Sequence, residues 1–340
     1  MTPTGSQNKL KIGVVGLGWV SQIFHLPLLT KMDDVEVVAI CDKDKSRSKI
    51  IADRFNISRV YTDYQQMLAK EDMDAVDICT STDTHLPITL ASLQAGKDVF
   101  VEKPIARRYL EAVQMAEAVK QHKRKLMVGM NNRFRPDTMI LKSFVEKGEI
   151  GKIFYVKAGW LKRISPDNKW VTQKDKAGGG VFLDLGIVML DLILWLLGFP
   201  PVQRVNAKMY MHKTKTVEDS AIVTLEVKYG VTLVMESSWS FHCAEDYFYC
   251  NLYGSEGSAM INPLRIYKQL HGNLVNLTPV KVDSPLNLLK KSYENELKHF
   301  VGAARGLHTI ISDGDEAVQR MKVVDAIYQS AQKGKEIKIK

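Results

Sequence analysis

A glycine-rich turn behind an apolar strand constrains this chain more than any other feature. Residues 11–15 form an apolar β run, Gly16-Leu17-Gly18 follows at once, and a helical segment opens behind it. Backbone amides at such a helix start can cradle the pyrophosphate of a dinucleotide, and glycine lets the chain approach it closely. Gly16-x-Gly18-x-x-Ser21 departs from the usual fingerprint at its third glycine, where helix–strand packing needs no more than a small residue. Further apolar runs at Val35–Cys41, 75–79, Asp98–Val101 and 125–128 alternate with helical patterns at Tyr64–Lys70, 85–95 and 108–122. Such runs suit strands covered on both faces, so residues 9–130 are expected to form an α/β unit with a doubly wound parallel sheet.

From about residue 150 the pattern changes. Long alternating runs at Ile153–Leu161, 202–212, 219–229 and 231–241 predict half-buried strands, with Tyr229-Gly230 as a tight hairpin connection. Helices are expected at 293–305 and 313–332. Residues 131–340 therefore read as a C-terminal α+β domain on a large open, mostly antiparallel sheet. The second face of its alternating strands needs cover, which predicts a homodimer or homotetramer through that sheet. The stretch 181–199 is apolar except for Asp184 and Asp191. Two acids inside a membrane span are costly, and their spacing puts both on one helical face, so a buried helix is expected rather than a span.

The net charge is +9, but basic and acidic residues are interspersed, as in Lys43-Asp44-Lys45. That pattern argues against a nucleic-acid stripe and for a mild field favouring an anionic cofactor or substrate. The four cysteines, Cys41, Cys79, Cys243 and Cys250, have no metal spacing, and no secretory signal precedes them. A cytoplasmic protein without a metal site is expected. His25, His242 and His299 are read as structural.

Two acidic or basic positions give the turn its chemistry. Asp42 ends the second strand, where a carboxylate can accept from the ribose hydroxyls of an adenosine and repel a 2′-phosphate. Repulsion of about 4 kcal/mol per charge pair at 4 Å, with an effective dielectric near 20, favours NAD over NADP. Lys43, Lys45 and Arg47 soften that preference. Glu102-Lys103-Pro104 ends the strand Asp98–Val101, at the sheet edge where open α/β proteins bind ligands. An ammonium beside a nicotinamide makes a redox site. Thr80 and Ser81 follow another strand, and His85 opens the next helix as either a cofactor-channel residue or a structural one. Gly16, Gly18, Trp19, Val20, Asp42, Thr80, Ser81, His85, Glu102 and Lys103 are the candidate cofactor contacts.

Together with Glu102-Lys103-Pro104 and the Gly16 turn, Gly178-Gly179-Gly180-x-x-x-Asp184-x-Gly186 resembles the Gfo/Idh/MocA oxidoreductases. Ala95-Gly96-Lys97-Asp98-Val99, Asn132-Arg133-Phe134-x-Pro136, Tyr253-Gly254-x-x-Gly257 and Ala326-Ile327-Tyr328-x-Ser330 extend the likeness through nearly the whole chain. The resemblance implies a Rossmann-type N-terminal domain and hydride exchange between a nicotinamide and a sugar, cyclitol or related polyol. It implies that Lys103 orients the substrate oxygen and tunes the proton transfer, and that Asp184 touches substrate. Four residues beyond Asp184 such proteins usually carry a histidine as proton carrier. Here it is Val188, and helical spacing puts Val188 on one stripe with Asp184 and Asp191. Lys103, with or without Asp184, would then carry the proton. The alternatives are a non-catalytic nucleotide- and sugar-binding regulator, or a redox-neutral NAD-using lyase or glycosidase. Arg163 and Trp170, in the loop before the Asp184 helix, are candidate substrate contacts as a cation and an aromatic platform. Arg133 is either a bridge between domains or a substrate contact.

Overall fold

The computed structural model describes residues 9–163, 170–279 and 283–339. The chain divides into two compact units, one of Met1–Ala106, Leu110–Gly129 and Tyr293–Val318, the other of Arg107–Tyr109, Met130–Ser292 and Gln319–Lys340.

The first unit is built on six parallel strands, β1 (Leu10–Val15), β2 (Val35–Cys41), β3 (Val60–Tyr61), β4 (Ala75–Ile78), β5 (Asp98–Val101) and β6 (Leu126–Val128). Their order is β3-β2-β1-β4-β5-β6. The order reverses between β1 and β4, and at that switch a doubly wound sheet opens a ligand crevice at the carboxyl strand ends. The Gly16 turn leaves β1 there. β4 and β5 are buried at every position, as continuous apolar runs require. Helix Lys45–Phe55 starts on Asp44, whose carboxylate accepts from the Arg47 amide at 3.0 Å, and stops at Asn56 in the left-handed region. The expected helix behind the turn begins as a π turn, Ser21–His25, before a short α segment, Leu26–Leu29.

Tyr293–Val318 returns to this unit after all but the last strand of the second sheet. The ring of Tyr293 stacks on Phe24 at 4.1 Å, and Phe300 meets Phe100 edge to face at 5.5 Å. Ser312 Oγ donates to the Val128 carbonyl at 2.9 Å.

The second unit carries nine strands: β7 (Ile153–Leu161), β8 (Val202–Tyr210), β9 (Ser220–Val227), β10 (Val231–Ser238), β11 (Tyr247–Gly254), β12 (Gly257–Ile261), β13 (Arg265–Leu270), β14 (Asn273–Asn276) and β15 (Ile337–Lys338). Their order is β14-β13-β12-β11-β7-β10-β9-β8-β15, and only β7 with β10 is parallel. β9 and β10 alternate buried and open positions, so one face builds the core. The connection between them is three residues, Lys228–Gly230, rather than the two expected, and Tyr229 and Gly230 both take positive φ.

The apolar stretch at 181–199 is not one regular helix. A π turn, Phe182–Gly186, precedes the α-helix Ile187–Leu196. The segment Lys174–Leu196 is apolar enough to cross a membrane by composition, yet 89% of its most apolar window is buried within the protein.

Candidate active site

In the first unit, the turn is shaped by what glycine lacks. Gly16 has φ +92°, and a Cβ there would lie 2.6 Å from the Cys79 backbone and 2.8 Å from Thr80 Cγ2. A Cβ on Gly18 would meet nothing closer than 4.0 Å, so the turn keeps open space on that side. The cradle fits a dinucleotide pyrophosphate. Asp42 joins it: Oδ2 accepts from the Leu17 amide at 2.8 Å and Oδ1 from the Asp44 amide at 2.9 Å. Arg47 Nη1 lies 3.2 Å from Oδ2, so a guanidinium already shares this carboxylate. Trp19 is 66% exposed beside the turn, and Val20 is half-buried.

Thr80 and Ser81 are half-buried at the end of β4. Thr84 Oγ1 donates to Thr80 Oγ1 at 2.7 Å, and Ser81 Oγ to Asp83 at 2.6 Å. His85 is buried. Its Nδ1 faces the Pro104 carbonyl at 2.9 Å and its Nε2 the Thr80 carbonyl at 3.1 Å. Burial pushes its pKa below the ordinary value, against the pull of those carbonyls. His85 therefore braces two loops.

Lys103 follows β5 and is half-buried, with a cis peptide to Pro104. Its amide donates to Glu102 Oε2 at 3.0 Å. Glu102 is buried, and its other oxygen lies 3.1 Å from His25 Nε2. His25 Nδ1 lies 2.8 Å from Asp77 Oδ2, and the Cys79 thiol donates to Asp77 Oδ1 at 3.4 Å. Burial opposes charge on His25, but Asp77 and Cys79 outweigh it and hold the imidazole pKa well above its usual value. Burial, then Asp77, pushes the Cys79 thiol upward. His25, Asp77 and Cys79 offer ligand atoms within 4.8 Å of one another.

In the second unit, the glycine run serves Glu218. A Cβ on Gly180 would lie 2.0 Å from the Glu218 carbonyl, and one on Gly179 2.0 Å from the Tyr328 hydroxyl. Glu218 Oε1 accepts from the amides of Gly180 at 2.9 Å and Phe182 at 3.0 Å and from Tyr328 at 2.7 Å. Burial raises the pKa of Glu218 despite these donors. The π turn sewn onto Glu218 carries Asp184, whose Oδ2 accepts from Trp239 Nε1 at 3.0 Å.

The expected stripe of two acids around Val188 does not form as drawn. The π turn breaks the helical period between Asp184 and Asp191. Asp191 is 1% exposed and is bound by Arg133 at 2.6 Å and Arg320 at 2.7 Å, while Asp184 serves Trp239. Arg133 is buried within the second unit as the partner of Asp191. Val188 is 4% exposed. Arg163 is tied to the 244–246 loop, its amide to Asp246 at 2.9 Å and its guanidinium to the Ala244 carbonyl at 3.2 Å. Trp170 is half-buried, and its carbonyl accepts from the Gln173 amide at 3.0 Å. The residues between Arg163 and Trp170 lie outside those described.

Glu218, Trp239 and the His25 cluster were not expected from the sequence. Three adjacent glycines were the one available signal, since such a run demands something large packed against it.

The sequence family described as an oxidoreductase family with an NAD-binding Rossmann fold (GFO_IDH_MocA) matches residues 10–130. The C-terminal α/β domain of the same oxidoreductases matches residues 142–339. The chain is 28% identical over 351 residues to D-glucoside 3-dehydrogenase of Escherichia coli (strain K12), covering 98% of this chain and 99% of that protein. It is 27% identical to scyllo-inositol 2-dehydrogenase (NAD(+)) of Bacillus subtilis (strain 168), over 92% of this chain and 91% of that one. Among solved structures, GenD2 from gentamicin A biosynthesis in complex with NAD superposes with a TM-score of 0.87 at 25% identity, covering 100% of this chain and 99% of that chain.

Proposed function

The chain belongs to the Gfo/Idh/MocA family of NAD-binding oxidoreductases, and we propose that it is a dehydrogenase of a sugar, cyclitol or related polyol in which Lys103 is the principal catalytic residue. The observation that carries this reading is the company Lys103 keeps. It ends β5, the strand beside β4 and one removed from β1, at the same carboxyl edge from which the open Gly16 cradle leaves. Ligands of open parallel sheets bind at that edge. Gly16, Gly18, Trp19, Val20, Asp42, Thr80 and Ser81 would hold the dinucleotide, with His85 and Glu102 supporting the loops from beneath.

When bound, NAD supplies the hydride acceptor. The substrate CH–OH loses a hydride and a proton, and a carbonyl results. Lys103 binds the substrate oxygen and takes or returns its proton. A buried valine at 188 offers no proton route, which leaves that work to Lys103. Asp184, fixed by Trp239, is assigned to a substrate hydroxyl, with Arg163 and Trp170 as further substrate contacts. Relatives named for a glucoside and for inositols support a polyhydroxylated substrate.

The test is absorbance at the NADH band when purified protein is given NAD and a panel of glucosides, inositols and free aldoses. Turnover on at least one is expected. Nucleotide and sugar binding without any absorbance change across the panel would favour the regulator instead.

A further inference from the structure

The buried cluster beneath Lys103 is not used by the chemistry above, and it is expensive. His25 is 0% exposed and Asp77 1% exposed. An ion pair this deep seldom repays its desolvation, and apolar residues of similar volume commonly serve stability as well or better. Its placement is the informative part. Among the described residues, the groups facing the imidazole come from around the end of the sheet: Asp77 on β4 and Cys79 just beyond it, Phe100 on β5 and Glu102 just beyond it, and Tyr293 from the helix Pro285–Ala304. The cluster ends on the backbone of Lys103. Glu102 Oε1 meets His25 at 3.1 Å and its Oε2 carries the Lys103 amide at 3.0 Å. On the far side of Lys103, the Pro104 carbonyl is held by His85 at 2.9 Å. Space for Glu102 is kept by Gly129, where a Cβ would come within 3.3 Å of the carboxylate.

We propose that His25, clamped between Asp77 and Glu102, is a positioning residue for Lys103, fixing the carboxylate that holds the lysine's backbone amide and supplying the cation that this carboxylate shares with Asp77. This rests on the dehydrogenase reading only for its kinetic consequence. Replacing His25 by glutamine keeps a polar group of similar reach and removes the charge.

The experiment compares wild type with His25→Gln, Glu102→Gln and the double variant, each corrected for folded fraction by circular dichroism. His25→Gln is expected to lower kcat about 10- to 100-fold while KM for the sugar and Kd for NADH stay within about twofold, since the nucleotide contacts lie elsewhere. The double variant should be no slower than the worse single, because the two act as one unit. A readout independent of turnover is acetylation of Lys103 by acetic anhydride near neutral pH, followed by peptide mass spectrometry against exposed Lys43. Loss of the shared cation favours the ammonium form of a lysine one residue away, so acetylation should slow about threefold or more in His25→Gln. Unchanged acetylation with unchanged kcat per folded molecule would overturn the proposal, as would fully additive losses in the double variant. Slowed acetylation in a protein that turns over no polyol would leave the positioning role standing and defeat the dehydrogenase reading alone.

Discussion

The hydroxyl of Tyr328 and the carboxylate of Glu218 meet at 2.7 Å, on the same oxygen that receives the amides of Gly180 and Phe182. One buried atom thus gathers three donors and sets the start of the π turn that carries Asp184.

The first prediction concerns that atom. Glu218→Ala orphans all three donors, each worth about 1–3 kcal/mol when left buried and unpaired, so a loss of at least about 3 kcal/mol is expected in urea unfolding. Glu218→Gln keeps an oxygen in place and gives up a charge that burial disfavours. It should cost about 1 kcal/mol or less. Equal losses in the two variants would show that the oxygen does not organise the turn.

Lys103→Met should lower turnover by roughly 10²–10⁴-fold, the usual worth of general acid–base catalysis, while NADH binding measured by fluorescence stays nearly intact. In the opposite direction, Val188→His should raise kcat and give it a pH dependence near the ordinary histidine pKa of about 6.5. Wild-type turnover that survives Lys103→Met would remove Lys103 from its role.

Cofactor choice is read from Asp42 and Arg47, 3.2 Å apart. Calorimetric titration should give NADH at least about tenfold tighter than NADPH, a difference of only about 1.4 kcal/mol. Arg47 is the cation paired with the Asp42 carboxylate, where it would also meet a 2′-phosphate. Arg47→Ala should therefore widen the preference for NADH, and a narrowed preference would contradict the ribose role of Asp42.

Stability should fall as pH rises above about 6.5. The folded pKa of His25 is raised, so its contribution is complete below the unfolded value of about 6.5 and is lost as pH climbs through the folded one. His85 and His299 are lowered and act below that window. Cys79 and Tyr293 are raised above thiol and phenol values that the unfolded chain reaches only at higher pH. Melting temperature followed across the window should decline in wild type and flatten in His25→Gln.

Ile222 on β9 is 50% exposed, and Tyr210 on β8 is 42% exposed. Pairing of this sheet face with another copy of the chain is expected to give a homodimer or homotetramer by light scattering at micromolar concentration, and Ile222→Glu should weaken it. A monomeric wild type would end that expectation.

Both sheets were legible because their strands carry opposite patterns, continuous burial in β4 and β5 and alternation in β9 and β10. Helix Lys45–Phe55 was missed because it buries only Ser48, Ile51 and Ala52, too few to mark a stripe. The Gly16 turn, Asp42 and Lys103 were visible because their chemistry is local. His25 was not, since its partners stand 52 and 77 residues along the chain. The π turn at Phe182–Gly186 was equally hidden, because Glu218 lies 36 residues beyond Phe182. Local sequence reports propensity, and these features are set by distant partners.

The return of Tyr293–Val318 to the first unit has a consequence for how the protein is made. A ribosome delivers β1 to β6 long before Phe300 reaches Phe100 or Ser312 reaches Val128. Until then the nascent nucleotide-binding half carries bare apolar surface where those residues belong. It must wait, incomplete, while β7 to β14 are synthesised. Slow closure of such long-range contacts leaves a chain open to aggregation and to chaperones. In this protein the earliest-made strands are completed only after most of the second sheet exists.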